Sequence, residues 1–352
     1  MAAATNGYTK LAAVPDLMGE YRAALGGLVP GLGALKKGSG SSGSGSGSGA
    51  RSGAGAGAGG AGAREIPAER FEVHGVVPDT THLAEYCRTT GLRFGEELPA
   101  TYPYVLAFPL AIKVMNSKGF PFGAVGVVHL TNAIEQTRPL HVGEALDIRV
   151  RAENPRAHRA GMLIDMVTEI TVPAEGDEVV WRQVSGFLGK GAKTEGLPAA
   201  ADSTVKAAGE PAANPAFVRV TQDTISAYAE ASGDKNPIHV SKVGAKAFGF
   251  PSTIAHGMWS AAAMLAGMEG LVPEAVRFEV EFAKPVRLPS KVAFTADRDG
   301  AGDGPGAADG STDGSTGGST AVSATGSGWG LQLRSAKKPE VIHAVGRLEP
   351  LN

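Results

Sequence analysis

The sequence predicts an α+β fold in which one folding unit occurs twice in tandem. Two stretches, 127–151 and 275–297, alternate apolar and polar residues at a constant offset along the chain. Alternation with a period of two is typical of half-buried strands, and consecutive strands pair antiparallel. An apolar segment long enough for a helix precedes each stretch, Tyr104–Met115 in the first and Met258–Gly267 in the second. Self-similarity over so long a period indicates duplication of a whole unit.

Each unit therefore consists of one long helix beside a run of antiparallel strands. A sheet that curls around such a helix buries the helix together with its own apolar face, which is the hotdog arrangement. Two hotdogs in one chain can meet edge to edge and so pair sheet edges that would otherwise stay open. We predict a tandem double hotdog, with two antiparallel sheets each wrapped around a central helix.

Composition divides the 352 residues further. Gly-Ser and Gly-Ala repeats offer almost no side chain to bury, and they stay flexible. A second low-complexity stretch repeats Asp-Gly-Ser-Thr between two strand-like segments, which is typical of an enlarged hairpin loop. The predicted order is an N-terminal extension (1–37), a disordered linker (38–63), a first unit (64–194), a second linker (195–214) and a second unit (215–352) with a disordered insertion (299–320).

Charge and cysteine content exclude several classes of function. Lys and Arg number 33 against 35 Asp and Glu, a net charge of −2, so nothing favours nucleic acid or an acidic membrane surface as a partner. The single cysteine, Cys87, rules out an intrachain disulfide framework and a cysteine-based zinc site. The first residues lack the basic and then apolar pattern of a signal peptide, and no apolar run is long enough for a membrane span. We therefore expect a cytoplasmic protein.

The second unit carries a polar constellation around a turn. Asp234 and His239 flank Asn236-Pro237, where the chain must bend because proline fixes its own φ and disfavours a helical conformation in the preceding residue. Such a bend can bring a carboxylate and an imidazole together, a pair suited to activating water. Farther along, Gly257 opens the apolar helix, and the backbone N–H groups of a first helical turn suit a developing oxyanion.

These residues belong to longer strings with a known likeness. Tyr-x-x-x-Ser-Gly-Asp-x-Asn-Pro-Ile-His over 228–239, followed by Phe-Gly-Phe-Pro and Ile-Ala-His-Gly-Met, resembles the signature of MaoC-like (R)-specific enoyl-thioester hydratases and (3R)-hydroxyacyl-thioester dehydratases. In the first unit, Tyr-Pro-Tyr over 102–104 and Glu-Gln-Thr-Arg-Pro over 135–139 look like the two-hotdog dehydratases of actinobacteria. The resemblance covers about 67–191 and 218–348, without the low-complexity stretches.

The resemblance implies a hydro-lyase that interconverts (3R)-3-hydroxyacyl and trans-2-enoyl thioesters in fatty-acid or related acyl metabolism. It implies that Asp234 and His239 hold the catalytic water. Asn236 would order their loop, and the Gly257 amide would bind the thioester oxygen. No metal and no redox cofactor are implied, since the thioester itself acidifies the proton at the 2-position. The partner would be acyl-CoA or acyl carrier protein, and a homodimer stays open.

The first unit departs from this motif. Leu92 stands where the second unit has Asp234, and no Asn-Pro-x-His follows before the apolar helix. We therefore expect one active site per chain, with the first unit lining the acyl chain. His129 on a first-unit strand is interpreted as a structural or surface residue, and His256 and Ser260 as local structure at the start of the second apolar helix.

Two other functions share parts of this pattern. A hotdog thioesterase has the same fold and substrate class but needs no Asn-Pro-x-His turn followed by His-Gly-Met. A non-catalytic subunit that binds acyl thioesters is the third reading, because the first unit has already lost its polar constellation.

Overall fold

The computed structural model describes residues 7–26, 66, 68–210, 214–299 and 328–351. The predicted linker 38–63 lies outside these residues, and so does the predicted insertion 299–320 beyond its first residue, Asp299.

In both units the long apolar helix precedes the main run of strands, as predicted, and one further strand comes before the helices. An N-terminal pair comes first: β1 (Thr9–Leu11) and α1 (Leu17–Gly26). The first unit contains β2 (Phe71–Val76), α2 (Thr80–Thr90), α3 (Tyr102–Asn116), β3 (Val128–Gln136), β4 (Leu146–His158), β5 (Gly161–Thr171) and β6 (Val179–Lys190). The second contains β7 (Ala216–Val220), α4 (Gln222–Ser232), α5 (Pro237–Val240), α6 (Lys242–Ala247), α7 (Gly257–Ala266), β8 (Val276–Phe282), β9 (Ser290–Arg298), β10 (Trp329–Ser335) and β11 (Ile342–Pro350). Short 3-10 helices lie at Pro173–Glu175 and Thr204–Ala207.

All eleven strands of the described residues join one sheet, in the order β1-β2-β4-β5-β6-β3-β8-β11-β10-β9-β7. Counted from its outer edge, the first unit runs β2-β4-β5-β6-β3 and the second β7-β9-β10-β11-β8, so the two units share one strand order. β3 and β8 pair antiparallel, from Thr131 opposite Glu281 to Gln136 opposite Val276, and this pairing joins the units. The predicted α+β tandem double hotdog is confirmed, with its two sheets fused edge to edge.

The central helices are α3 and α7. Lys113 is the one charged residue of α3, and α7 has none, as expected for helices that are enclosed on all sides. Trp181 on β6 and Trp259 on α7 are fully buried, and their indole N–H groups donate to the carbonyls of Ala100 and Thr89, both at 2.9 Å. The second bond ties α7 to the end of α2 and so links the units through their cores. Of the helices that the structure describes, none is long and apolar enough to cross a membrane.

The two units differ most between their short and long helices. Gly91 ends α2 and Gly233 ends α4, with φ of 81° and 71°, a left-handed conformation that glycine adopts without strain. In the first unit, residues 92–101 then lead directly to α3. In the second, residues 234–256 include the two extra helices α5 and α6 before α7 begins. The asymmetry between the units is therefore concentrated in one inserted segment.

The described part of the predicted second linker, 195–214, lies against the sheet. Ala199 forms a bridge with Ala157 on β4. The Thr204 amide donates to a carboxylate oxygen of Glu281 on β8 at 2.8 Å, and Arg334 on β10 donates to the Gly209 carbonyl at 2.6 Å. This segment thus contacts both units as it passes from one to the other.

Candidate active site

Asp234 is held where helix α4 ends. The positive φ of Gly233 turns the chain, and the Asp234 amide donates to Ser232 Oγ at 3.2 Å. One carboxylate oxygen, Oδ1, accepts hydrogen bonds from the Asn236 amide at 3.2 Å and from the Tyr21 hydroxyl at 2.6 Å. Burial opposes the charged form of the carboxyl, but His256, His239 and these two hydrogen bonds outweigh it and lower the pKa of Asp234.

Asn236 and Pro237 build the turn to His239. Asn236 caps helix α5, since its side-chain oxygen accepts from the Ile238 amide at 3.4 Å, and Pro237 occupies the first helical position. This single turn places His239 on the same cavity as Asp234. Asn236 also lines that cavity, with its side-chain oxygen engaged within the turn.

His239 is a buried, neutral imidazole in a fixed tautomer. Its Nδ1 lies 2.9 Å from the Ile254 carbonyl, which can only accept, so Nδ1 carries the proton and Nε2 is left as an acceptor. Burial lowers the pKa of His239 and outweighs the opposite effect of Asp234. The pair therefore presents two proton acceptors at neutral pH, a carboxylate and an unprotonated ring nitrogen.

His256 packs on His239 and supports the turn. The two rings stack with centroids 3.7 Å apart at an interplanar angle of 27°. His256 Nε2 donates to the backbone carbonyl of Asp234 at 2.8 Å, which matches the expected local role. Burial, reinforced by His239, lowers the pKa of His256 to about 3. Its Nδ1 is buried with no hydrogen-bond partner among the described residues.

Gly257 is the first residue of α7 and lines the same cavity. The N–H groups of a first helical turn have no intrahelical acceptor, and they lie at the positive end of the helix dipole. A Cβ at this position would lie 3.1 Å from the ring of Phe282, so a larger residue would require that ring to shift slightly. Ser260, one turn later, is buried and donates to the His256 carbonyl at 3.3 Å, a local role as expected.

Asp234, His239 and His256 are also the donor set that a metal ion would use. One ligand atom of each lies within 4.8 Å of the others. A metal bound in the plane of both imidazoles must lie where the two ring planes intersect. For stacked rings 3.7 Å apart at 27°, that line is far beyond the N–metal bond of about 2.0 Å. The stacking therefore opposes joint coordination by the two histidines.

The cavity has a volume of about 310 Å³ and is shared by the two units. Its polar end is formed by the second-unit residues described above. Its remaining wall is mainly apolar and comes largely from the first unit: Tyr104, Phe108, Ile112, Met115, Leu130 and Phe187. Among its exposed lining residues, Arg159, Lys190 and Lys284 are cationic. The site thus combines two acceptors, an apolar wall and a basic rim.

Within the described residues, the first unit has no equivalent polar end. Leu92 follows the helix-ending Gly91 as Asp234 follows Gly233, and it lines a separate cavity of about 560 Å³. That cavity lies between the first unit's loop 92–100 and the end of α7.

The chain resembles a known protein family and several solved structures. The family description "MaoC like domain" matches residues 203–315. The chain is 42% identical over 238 residues to 3-hydroxyacyl-thioester dehydratase X of Mycobacterium tuberculosis, an alignment that covers 67% of this chain and 83% of that protein. The chain belongs to the MaoC-like dehydratase family.

Solved structures of this family show the same fold. The crystal structure of HtdX of Mycobacterium tuberculosis matches with a TM-score of 0.63 and 37% identity, over 80% of this chain and 100% of that chain. A MaoC-like dehydratase from Phytophthora capsici matches with a TM-score of 0.60 at 16% identity, over 82% and 97% of the two chains. At that identity the second likeness shows the fold alone.

Two residues that line the cavity were not predicted from the sequence to do so. Tyr21, from the N-terminal extension, reaches Asp234. His129, interpreted as structural or surface, lines the cavity instead and packs on the rings of Phe187 at 4.5 Å and Phe282 at 5.2 Å. Burial lowers the pKa of His129 to about 4, so it is neutral at physiological pH. Alternation along β3 gave no sign that His129 lines the cavity, and no local pattern marked Tyr21.

Proposed function

We propose that this protein is a hydro-lyase that interconverts (3R)-3-hydroxyacyl and trans-2-enoyl thioesters. The observation that carries the proposal is the pair of proton acceptors, Asp234 and His239, at the polar end of an apolar cavity. Membership of the MaoC-like family supports it, and the relative at 42% identity bears the name 3-hydroxyacyl-thioester dehydratase X. We expect it to act in fatty-acid or related acyl metabolism, in the cytoplasm.

In the hydration direction, Asp234 and His239 hold one water between them. Two hydrogen bonds of about 2.8 Å span up to about 5.6 Å, and the two groups have ligand atoms within 4.8 Å of each other. The water donates to both acceptors, so its oxygen lone pair is free to form a bond to C3 of the enoyl thioester. One water proton passes to the pair and is then delivered to C2. Dehydration reverses these steps: the pair removes the C2 proton and protonates the departing hydroxyl.

The thioester oxygen receives the electrons that leave the C2–C3 double bond. We assign its stabilisation to the Gly257 amide, because Gly257 begins α7 and lines the same cavity as the water-holding pair. The reaction then needs no external electron acceptor, because the enolate forms and collapses on the substrate itself.

The acyl chain is assigned to the apolar wall that the first unit supplies. Phe108, Ile112 and Met115 follow one face of α3 at helical spacing and line the cavity. The first unit thus contributes shape, while the second contributes the chemistry.

The exposed rim favours an anionic carrier, either coenzyme A or the phosphopantetheine arm of acyl carrier protein. Arg159, Lys190 and Lys284 are all exposed, and each can reach a phosphate without leaving solvent. Exposed contacts of this kind are worth about 0.5 kcal/mol each.

Removing the basic rim should weaken binding without slowing the reaction. The triple variant Arg159→Ala, Lys190→Ala, Lys284→Ala is expected to raise KM for an enoyl-CoA about tenfold and to leave kcat within about twofold. The difference should shrink as ionic strength rises, because salt screens exposed charges. Initial rates across a salt series provide the measurement. The matched control removes three exposed lysines away from the cavity: Lys206, Lys337 and Lys338. An equal rise in KM for that control would contradict a specific role of the three rim residues in binding the carrier.

Chelation should leave turnover unchanged, since we propose that no metal and no redox cofactor takes part. The enzyme is dialysed against EDTA and assayed, and its metal content is measured by mass spectrometry. Loss of activity that returns on adding back zinc would contradict this proposal and would assign Asp234, His239 and His256 to an ion.

One assay tests the reaction class. With an enoyl-CoA, a hydratase bleaches the absorbance of the conjugated thioester and releases no thiol. A thioesterase releases thiol, and a non-catalytic binding subunit does neither. Bleaching without thiol release, with (3R)-3-hydroxyacyl-CoA as the product on a chiral column, is the expected result.

A further inference from the structure

Tyr21 lies far from the catalytic unit in sequence and in contact with it in space. It belongs to α1, and 213 positions separate it from Asp234. Its side chain is only 5% exposed and lines the candidate active site. The hydroxyl donates to Asp234 Oδ1 at 2.6 Å, the shortest hydrogen bond that this carboxylate makes within the described residues.

Helix α1 is held at its start and against the first unit. Its start is capped by Asp16, whose carboxylate accepts from the amides of Met18 and Gly19 at 3.2 and 3.0 Å. Glu20 binds α3 of the first unit: its side chain accepts from Lys113 Nζ at 3.1 Å, and its carbonyl accepts from Asn116 Nδ2 at 2.8 Å.

An adjacent side of α1, which carries Leu17 and Tyr21, meets the catalytic turn. Leu17 packs so closely on Gly233 that a Cβ there would lie 2.6 Å from Leu17 Cδ2. Gly233 is the residue directly before Asp234, so α1 contacts both the backbone and the side chain of the catalytic turn. The helix is therefore a built part of the cavity wall.

We propose that Tyr21 is a positioning residue for the reaction: it fixes Asp234 Oδ1 and thereby presents Oδ2 to the water. The inference rests on the proposed function. Oδ1 accepts two hydrogen bonds, from Tyr21 and from the Asn236 amide, whereas Oδ2 lies 4.0 Å from His256 Nε2. A carboxylate held in this way cannot rotate to exchange its oxygens without losing both bonds.

The hydroxyl of Tyr21 also favours the ionised carboxylate, because a donor stabilises the charged form of an acid. The titratable side chains that face Asp234 come from five other elements or their ends: Tyr104, His129, Tyr228, His239 and His256. His129 and His256 are neutral near pH 7 because burial lowers the pKa of each, to about 4 and about 3. Removing the Tyr21 hydroxyl should therefore shift the ionisation of Asp234 towards higher pH.

The test variant is Tyr21→Phe, which removes one oxygen atom. A hydrogen bond to a charged group changes an equilibrium constant by about tenfold or more. We expect kcat for hydration of an enoyl-CoA to fall about tenfold, with KM changed less than about twofold. The acid limb of the profile of kcat/KM against pH should move up by about one pH unit, the shift that a tenfold change produces.

The matched control is Tyr8→Phe in the same N-terminal segment. The Tyr8 hydroxyl accepts from Arg151 Nη1 at 3.0 Å, away from the cavity, so its loss should leave both kcat and the acid limb unchanged. A second variant carries 3-fluorotyrosine at position 21. Its more acidic hydroxyl is a stronger donor, and it should move the acid limb in the opposite direction to Phe.

The outcomes separate this inference from the proposed function. If the wild-type protein hydrates enoyl-CoA and Tyr21→Phe keeps the wild-type kcat and acid limb, the positioning role is wrong and the proposed function stands. If Tyr8→Phe lowers kcat and moves the acid limb as Tyr21→Phe does, the effect comes from packing of the segment and the inference is overturned. The inference is also overturned if 3-fluorotyrosine at position 21 moves the acid limb in the same direction as Tyr21→Phe. If the wild-type protein does not hydrate enoyl-CoA, the proposed function itself fails. Thermal unfolding of each variant confirms that it is folded.

Discussion

Replacing Asp234 by Asn is expected to lower kcat for hydration by about 10²- to 10⁴-fold, the contribution of a positioned acid or base. The amide has nearly the shape of the carboxylate but cannot take a proton from the bound water. His239→Ala should cost a similar factor, because it removes the second acceptor of that water. The measurement is the initial rate of enoyl-CoA bleaching under saturating substrate.

The double variant should cost little more than the worse single variant, since both side chains act on one water molecule. If the double variant instead lost kcat by the product of the two single losses, the two groups would act in separate steps. Controls for the chemical changes are Asp223→Asn and His141→Ala, which alter exposed residues outside the catalytic cavity. Wild-type turnover by Asp234→Asn or by His239→Ala would overturn the assignment of the site.

The pH dependence of the wild-type enzyme should follow the same pair. Asp234 must be ionised, and its pKa is lowered, so kcat/KM should fall only on the acid side of the ordinary range of a carboxyl group. His239 must be neutral, and its lowered pKa keeps it neutral below the ordinary value of about 6.5. We therefore expect a flat profile through pH 6 to 7. A fall in kcat/KM below about pH 6.5 would mean that His239 becomes protonated in the free enzyme at that pH.

Replacing Gly257 by Pro is expected to lower kcat by about 10²- to 10³-fold, the effect of losing one oxyanion donor. Proline is tolerated at the first helical position, where its missing N–H has no intrahelical acceptor. His256, the preceding residue, has φ −65° and ψ 143°, an extended conformation that a residue before proline prefers. The helix should therefore form while the amide is removed.

Gly257→Ala is the control for this variant. Alanine keeps the amide and adds a Cβ 3.1 Å from the Phe282 ring, the same first atom that proline adds there. The ratio of their kcat values therefore measures the effect of removing the N–H separately from the effect of the added Cβ. Equal rates in the two folded variants would mean that the thioester oxygen binds elsewhere, while the roles of Asp234 and His239 would stand.

Local chemistry explains why much of the site could be predicted. The convergence of Asp234 and His239 depends on a glycine that ends a helix, an asparagine that caps the next one and a proline at its first position, all within a few residues. Each of these preferences has a steric or hydrogen-bonding cause that acts along the chain itself. The strand alternation that predicted the duplicated fold is equally local.

His129 shows where that local reasoning ends. Asn132, Ile134 and Gln136 mark the buried face of β3, and strict alternation would place His129 on the other face. The pairing of β3 with β6 shifts register between His129 and Thr131, a bulge that turns His129 onto the inner face opposite Phe187. The bulge depends on both strands, so the sequence of β3 alone did not reveal it.

Tyr21 was even harder to predict from the sequence than His129. Its bond to Asp234 joins two segments that are distant in sequence, and α1 lies in a stretch whose glycines and prolines weaken any helical pattern. What fixes α1 is its fit between α3 and the turn after α4, which is tertiary packing. Such a contact has no periodicity and no motif from which it could be inferred.

The pairing of β3 with β8 has a consequence for how substrate enters. Backbone hydrogen bonds run across the boundary between the units, so the units form one continuous slab and cannot swing apart about a hinge as two separately folded lobes do. The walls of the acyl site are thus spaced by the sheet, whether or not a ligand is present. We therefore expect turnover to fall sharply once the acyl chain is longer than the cavity, because the walls cannot move apart to admit further methylene groups.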